Sequence, residues 1–379
     1  MKDKNIIWIG NTYEKSTFKK NLAISAAANA WQLNVIENLK LHGFKVVQFS
    51  YYQEQLWPKG NLISNFKLDA KSSDDQITIN YLNIPFFKDW IIYFILRNKI
   101  QLFLKERKHY YNVVSYNADR INVLLCKSLV KLNKFNWYNI WADTYYPGKK
   151  FKKNVHVGVE NAHGHIFLSF HGYKIAPYQN KIHFEGLVRE KIKKYIPRKR
   201  SDKITLMYAG SFTKWSGIDN FIRLFNSYKS NNVTLLVCGH GQIKKETYKL
   251  ILSDHRIIFL GTVDKDTLET NFRNTDVFIN PRNDKTTDNY MNFPSKIFDY
   301  LPYGKPILSS KTLGLSPEYE KILKYTNFYD LNSFSSQLEK IMNWNEVDWQ
   351  KHHHDTRIFI EKKSSEKIGR KLSNFIKES

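Results

Sequence analysis

The sequence predicts two successive α/β domains, each a parallel sheet covered by helices. Three observations carry this. The chain has 379 residues, 42% of them hydrophobic, which is more than one ordinary core takes and suits two domains. Short apolar runs alternate with helix-period segments in the rhythm of βαβ units. After a basic stretch near residue 190, that rhythm starts again with a clearer signal.

In the first half, Asn5 to Ile9 reads as a buried strand. Ala23 to Leu41 reads as a helix whose small front, Ala26-Ala27-Ala28, permits close packing, and Gly43 stops it. Lys45 to Ser50 and Tyr111 to Tyr116 are strands. Asn122 to Leu132 is a helix with Val123, Leu124, Leu125 and Leu129 inward, and Asn139 to Ala142 is a short strand before Asp143. Ile166 to Ser169 and Lys181 to Val188 complete the half. The expected domains are residues 1–190, a linker at 191–203, residues 204–354, and an amphipathic tail helix at 355–379 that can pack back on the first domain or simply cover its own.

In the second half, Ile204 to Ala209 is a strand and Gly210 to Gly217 a loop. Ile218 to Lys229 is a helix with Ile218, Phe221, Ile222 and Phe225 at helical spacing. Val233 to Cys238, Ile257 to Leu260, Asp276 to Asn280 and Lys305 to Ser309 are strands. Leu268 to Arg273 and Ser295 to Tyr303 are helices, the second closed by Gly304.

Composition excludes several classes. Ile6 to Ile9 is shorter than a signal-peptide core, and the apolar run Trp90 to Leu96 is broken at once by Arg97 and Lys99, far short of the roughly 20 residues of a span. A cytoplasmic protein is expected, at most peripheral at the inner face of the plasma membrane. Cys126 and Cys238 are too far apart for a disulfide framework or a metal spacing. His352-His353-His354 reads as an exposed run, not as a metal site. The formal charge of +24, from 59 basic and 35 acidic residues, suits a phosphate-bearing partner. No nucleic-acid-binding motif accompanies it, so an anionic membrane surface is the favoured partner, with a Lys- and Asn-rich composition contributing. Phe86 to Lys108 mixes aromatics, aliphatics and cations as interfacial helices do, and equally as a buried helix with a basic end does.

Ligands of open parallel sheets bind beyond the carboxyl ends of the strands. The loops after Ala209, Cys238, Leu260 and Asn280 are therefore the places for chemistry. Gly210-Ser211-Phe212-Thr213-Lys214-Trp215-Ser216-Gly217 offers a cation, hydroxyls and glycines to a phosphate, although a structural loop has the same composition. Asn292 to Ile307 is more telling. Pro294 sets a helix start, the amides near Ser295, Lys296 and Ile297 are expected to be free, Lys296 adds a charge, and Asp299 stands one turn on to accept from a ribose diol. The same pattern also fits a capped helix with a surface Lys and Asp.

These stretches resemble the retaining GT-B glycosyltransferases of family 4 (glycosyltransferase group 1), especially those of capsule and exopolysaccharide assembly. The resemblance rests on Tyr208 to Ser211, Val237 to Gly241, Phe259 to Gly261, Asp276 to Arg282, Phe293 to Pro306 and Leu313 to Tyr319, in order along the second domain. In the first domain it rests on Ser25 to Asn29 and Asn180 to Gly186. It implies a GT-B architecture, two Rossmann-like domains facing each other across a cleft, and transfer of a hexose or N-acetylhexosamine from a nucleoside diphosphate sugar, UDP-sugar favoured, to a glycan or lipid-linked acceptor. No further cofactor and no metal are implied, because fixed charges and amides stabilise the leaving diphosphate.

The resemblance implies donor contacts at Gly210, Ser211, Gly239, Gly261, Pro294, Ser295, Lys296 and Asp299, the last in the place of the family's second motif acid, which is usually Glu. The first acid would fall at Met291, which leaves Asp284, Asp288 and Asn289 as loop candidates. Ser211 and Ser216 stand where Arg and Lys are usual, so Lys214, Arg282 and Lys296 are the expected diphosphate cations. Asp143 is the candidate for donor sugar or acceptor, or equally a helix cap. Gly10, Asn11, Asn117 and His171 are expected on the acceptor side. A catalytically silent subunit that supports a partner transferase is the rival reading, and a sugar-nucleotide epimerase fits the ordered matches less well.

Overall fold

The computed structural model describes residues 4–13, 26–64, 75–107, 109–133, 135–142, 158–188, 190–197, 203–213, 215–282 and 292–378. It divides into two compact units, Met1–Leu187 with Ser365–Ser379, and Val188–Ser364. Among the described residues no helix is long and apolar enough to cross a membrane.

The first unit contains β1 (Asn5–Gly10), α1 (Ala26–Leu41), β2 (Lys45–Tyr51), β3 (Ile63–Ser64), β4 (Gln76–Ile79), β5 (Tyr81–Leu82) and α2 (Lys88–Glu106). These are followed by β6 (Asn112–Tyr116), α3 (Arg120–Asn133), β7 (Trp137–Trp141), β8 (Gly164–Phe167), α4 (Phe170–Ile175) and β9 (Lys181–His183). Its seven-stranded sheet has the order β4-β2-β1-β6-β7-β8-β9 and is parallel throughout, while β3 and β5 form a separate antiparallel pair. β1 and β7 are buried along their whole length, as strands covered on both faces are. Trp8, Trp137, Tyr51 and Tyr138 are its largest fully buried side chains.

The second unit contains β10 (Ile204–Ala209), α5 (Ile218–Ser227), β11 (Val233–Cys238), α6 (Lys245–Ser253), β12 (Ile257–Gly261), α7 (Lys265–Asn274), β13 (Val277–Asn280), α8 (Ile297–Tyr300), β14 (Ile307–Ser309), β15 (Leu323–Tyr325), α9 (Leu331–Met342) and α10 (Glu346–Lys362). Its six strands run parallel in the order β12-β11-β10-β13-β14-β15. The expected inward face of α5 packs as read: Ile218, Phe221, Ile222 and Phe225 are all buried.

Four expectations need correction. The strand expected over Lys181 to Val188 ends at His183. The helix expected over Ser295 to Tyr303 is one α turn, Ile297–Tyr300, continued as a 3-10 turn through Tyr303, where Pro302 removes a backbone donor. The tail is not one helix: α10 runs on to Lys362, and a second helix, α11 (Lys367–Glu378), belongs to the first unit. There Phe375 packs edge-on against Tyr138, and the Ile376 carbonyl accepts from the Tyr138 hydroxyl at 3.2 Å. The His352-His353-His354 run lies inside α10, with His352 buried and its imidazole pushed down to about 3 by loss of hydration. His353 shares a 3.0 Å hydrogen bond with the Lys193 carbonyl. Helix propensity and an apolar neighbourhood override the reading of three polar residues as surface.

Candidate functional site

In the second unit, three strand ends converge because glycine lets them. The Gly210 amide donates to the Cys238 carbonyl at 3.0 Å and the Gly239 amide to the Gly261 carbonyl at 2.7 Å. A β-carbon on Gly239 would overlap the Gly210 carbonyl, so only glycine permits this approach. Gly261 has open space around it but a φ of 62°, the left-handed region. Phe212 then donates to the His240 carbonyl at 2.7 Å, which ties the Gly210–Gly217 loop to the turn after β11.

α8 is held against this edge by Tyr300. Its hydroxyl donates to the Ala209 carbonyl and accepts from the Ala209 amide, both at 3.0 Å, and its ring stacks on Phe278 at 4.5 Å. Lys296 is four residues earlier, on the same face of the turn, and so is delivered to the end of β10. Its stem lies where a Gly210 β-carbon would be, its ammonium lies 4.0 Å from the centroid of the buried Tyr208 ring, and it donates to the Tyr208 hydroxyl. That hydroxyl in turn donates to the Ser211 carbonyl at 2.7 Å, so Ser211 takes part through its backbone.

Loss of hydration, reinforced by the Arg282 guanidinium and opposed by Asp299, pushes the Lys296 ammonium down to about 7. Loss of hydration pushes the Asp299 carboxyl up to about 6, Lys296 pulling it down and Glu190 adding to the rise, although the side chain keeps one side open to solvent. Lys296 thus interacts electrostatically with both Arg282 and Asp299. Arg282 Nη1 also donates to the Phe293 carbonyl at 3.1 Å, and its own carbonyl accepts from Ser310 Oγ at 2.8 Å.

One expectation about this segment fails. The Ile297 amide donates to the Pro294 carbonyl at 3.1 Å, closing a turn, so it is not free for an anion. Pro294 is buried and Ser295 exposed at the start of that turn. Ser216, expected to replace a cation, is buried in a tight turn, its hydroxyl donating to the Thr213 carbonyl at 2.7 Å. Lys214, Asp143, Tyr145, Asp284, Asp288, Asn289 and Met291 lie outside the described residues.

The reading of single motifs missed the two tyrosines that hold Lys296 and Ala209, because a Tyr in a strand or helix pattern reads as core. It also missed a set of buried polar atoms, Asn292 Oδ1, Thr312 Oγ1 and Ser316 Oγ, which lack hydrogen-bond partners among the described residues. A β-carbon on Gly314 would overlap the Asn292 carbonyl, so these two segments touch.

On the first unit, Gly10 and Asn11 end β1, and Asn117 follows β6, the strand beside it. A β-carbon on Gly10 would overlap Gln32 Oε1. The Asn11 side-chain oxygen is buried without a partner among the described residues. Asn117, with φ 65°, instead accepts from the Ala142 amide at 3.0 Å and so bridges the ends of β6 and β7. His171 follows the carboxyl end of β8 in the first turn of α4, two strands away from β6 in the sheet order, and burial lowers its imidazole below the usual range. Among the described residues no three His, Cys, Asp or Glu side chains are grouped to hold a metal ion.

Residues 189–354 match the family model described as glycosyl transferases group 1. No curated protein matches the chain in sequence. Among solved structures, the chain is similar to a sucrose-phosphate synthase from Thermosynechococcus elongatus, with 14% identity, a TM-score of 0.71, and 99% of this chain and 98% of that one covered. It is similar to the lipopolysaccharide outer core galactosyltransferase WaaB, with 15% identity, a TM-score of 0.67 and 99% of each chain covered. It is also similar to a trehalose-6-phosphate protein from E. coli bound with UDP-2-fluoro glucose, with 9% identity, a TM-score of 0.68 and 99% of each chain covered. At these identities the likeness establishes the fold, which is GT-B.

Proposed function

We propose that this chain, a glycosyltransferase by its group 1 domain, moves a hexose or N-acetylhexosamine from a nucleoside diphosphate sugar to a glycan acceptor, with retention at the anomeric carbon. The observation that carries the reading is the Lys296 ammonium, seated over Tyr208 in the gap that Gly210 leaves, beside Arg282 and Asp299 at the carboxyl edge of the second sheet. A diphosphate placed there meets two cations, and its ribose diol meets a carboxylate. As the bond to the sugar breaks, charge grows on the leaving diphosphate, and cations already fixed in a poorly hydrated site stabilise it without reorganising. The acceptor hydroxyl then attacks on the face that the diphosphate leaves.

UDP is the favoured carrier, which the UDP-2-fluoro glucose bound to the E. coli neighbour supports. A lipid-linked acceptor at the inner face of the plasma membrane, in surface polysaccharide assembly, is the favoured setting. The likeness to a lipopolysaccharide galactosyltransferase and the charge of +24 support it. The test is calorimetry of the purified protein against uridine, guanosine, adenosine and thymidine diphosphates and their sugar conjugates, repeated with Lys296→Ala and Asp299→Ala, followed by a donor-turnover assay. Selective binding of one nucleotide, weakened in both variants, with turnover of its sugar conjugate supports the reading. Binding without turnover makes the chain a silent subunit, and no binding of any nucleotide overturns the site.

A further inference from the structure

Helix α2 is apolar on two faces. Ile92, Leu96, Ile100 and Phe103 turn inward to the first unit's core. On the opposite side Trp90, Phe94 and Leu102 are exposed, Phe94 to 52% and Leu102 to 60%. A helix that merely covers a sheet is polar on its outer face. On α2 the outer face sets these apolar side chains among the polar Asn98, Gln101 and Lys105.

The apolar surface continues beyond the helix. Phe86 and Phe87 precede it, and Phe86 is 94% exposed. Phe86 also adopts φ 66°, a left-handed conformation that costs an aromatic residue free energy and that Phe87 and Lys88 fix by donating to the Pro85 and Ile84 carbonyls at 2.8 and 3.1 Å. A buried contact that would justify that cost is absent for a ring this exposed, and strain of this kind marks functional positions. Across the β3–β5 pair, Ile63 faces Leu82 and both are exposed. The loop bearing exposed Trp57 is stitched to the same surface: the Trp57 amide donates to the Asn83 carbonyl at 3.3 Å, and Asn83 Nδ2 donates to the Gln55 and Asn61 carbonyls at 2.7 and 3.0 Å.

Cations border this face. Between Tyr81 and His109 the sequence has six basic and two acidic residues, and Lys99, Lys105 and Arg107 are exposed along the second half of α2. Arg120 lies over the Trp90 ring at 4.8 Å. Aromatic and aliphatic side chains within a basic border match the acyl boundary and headgroups of an anionic bilayer. A second copy of a chain with a charge of +24 would be repelled, and the aliphatic share of the face, Ile63, Leu82 and Leu102, has no use against stacked bases. The face lies beyond the carboxyl ends of β2 and β4, and β2 pairs Ser50 with Gly10 of β1, so it shares an edge with the expected acceptor side.

We propose that this face, built from the Trp57 loop, the β3–β5 pair, Phe86, Phe87 and the outer side of α2, seats the first unit on an anionic membrane surface. The inference rests on the reading of a lipid-linked acceptor and assigns it a place on the protein. It brings the acceptor's headgroup region to the edge that carries Gly10 and Asn11.

The experiment is co-sedimentation of the full-length protein with vesicles of phosphatidylcholine alone or mixed with phosphatidylglycerol, at low and high salt. The wild type should bind the mixed vesicles, less so at high salt, and Phe86→Ser/Phe87→Ser/Phe94→Ser should lower the partition at least about tenfold. Lys99→Glu/Lys105→Glu should lower it while leaving the apolar face intact. Unchanged thermal unfolding and nucleotide binding in both variants would exclude misfolding. A wild type that stays in the supernatant with anionic vesicles, a triple variant that binds as the wild type does, or a variant effect confined to self-association by light scattering would each overturn the proposal. Nucleotide titration without vesicles reads the donor site separately, so failure of the docking face and failure of the transferase reading are distinguishable.

Discussion

The Lys296 ammonium lies 4.0 Å from the centroid of the Tyr208 ring, and its stem occupies the space that a β-carbon on Gly210 would take. A buried aromatic, a glycine and a cation from a helix start therefore define one point in space. The cation is fixed there by its hydrogen bond to the Tyr208 hydroxyl.

Gly210→Ala should weaken both donor binding and stability. The new methyl displaces the Lys296 stem, and the φ of 154° is one that L residues rarely adopt, so the second unit should lose about 1–3 kcal/mol. Displacing the ammonium should weaken nucleoside diphosphate binding about tenfold, the value of one charge-assisted contact. Gly239→Ala meets the Gly210 carbonyl instead and should impair folding itself. Calorimetric titration beside differential scanning calorimetry checks both.

Donor binding should have a bell-shaped pH profile. Lys296 titrates near 7 and must be charged to hold a diphosphate, so affinity should fall as pH rises above that value. Asp299 titrates near 6 and must be ionised to accept from a ribose, so affinity should also fall as pH drops below it. Lys296→Met should remove the alkaline limb and Asp299→Asn the acid limb, as read by dissociation constants across pH 5 to 9, a range of about two units on either side of the optimum.

Asp299→Ala should discriminate between parts of the ligand. Its carboxylate is placed for ribose hydroxyls, so binding of a nucleoside diphosphate should weaken by about 1–2 kcal/mol while binding of inorganic pyrophosphate holds or tightens once the negative charge is gone. Asp299→Glu should retain nucleotide binding. Competition titrations with the two ligands would show the difference, and equal losses would argue against a ribose contact.

Arg256 is a structural counterpart to the site. It donates to both Asp254 oxygens at 2.9 and 2.7 Å and to the Ser230 and Phe225 carbonyls, and both ion-pair partners are buried. Arg256→Ala leaves a buried carboxylate and several carbonyls unpaired and should destabilise the second unit by about 3–5 kcal/mol. The Arg256 hydrogen bond holds the Asp254 carboxyl below its usual range. The pair's contribution should thus be present above the unfolded value of about 3.9 and be lost as pH falls through the lower folded value. Denaturant unfolding at pH 7 and pH 3 would read both effects.

Deleting residues 365–379 should destabilise the first unit. α11 covers Tyr138 with Phe375, and the Ile376 carbonyl accepts from Tyr138 and Asn112 at 3.2 and 3.4 Å. Phe375→Ala should cost about 3 kcal/mol. Hydrogen exchange should increase in β6, β7 and β8 while α5 and β10 keep their protection.

Much of the fold was legible in the sequence. Short apolar runs and period-3.6 patterns mark β1, α1, β2, α5 and β11 nearly to their ends, because strands covered on both faces bury every residue and helices bury one stripe. Glycine positions were legible as strand-end turns for the same local reason. The segment from Phe293 to Pro306 was legible as the donor candidate because a proline, a lysine and an acid one turn apart restrict what a helix start can do.

Long-range partners were not legible. The Ile297 amide was expected to be free and is occupied by the Pro294 carbonyl, and the Asn117 side chain expected on the acceptor side accepts from the Ala142 amide. The tail pattern announced an amphipathic helix, but the chain breaks after Lys362, and the segment beyond it finds the core of the first unit. An apolar stripe specifies that something must cover it and carries no record of what. By itself the sequence determined two parallel α/β units and singled out the residues proposed to meet a diphosphate. Tertiary structure decided that Lys296 sits against Tyr208 in the space left by Gly210, since hydration, and with it the charge of that ammonium, depends on neighbours that lie 88 and 86 residues away along the chain.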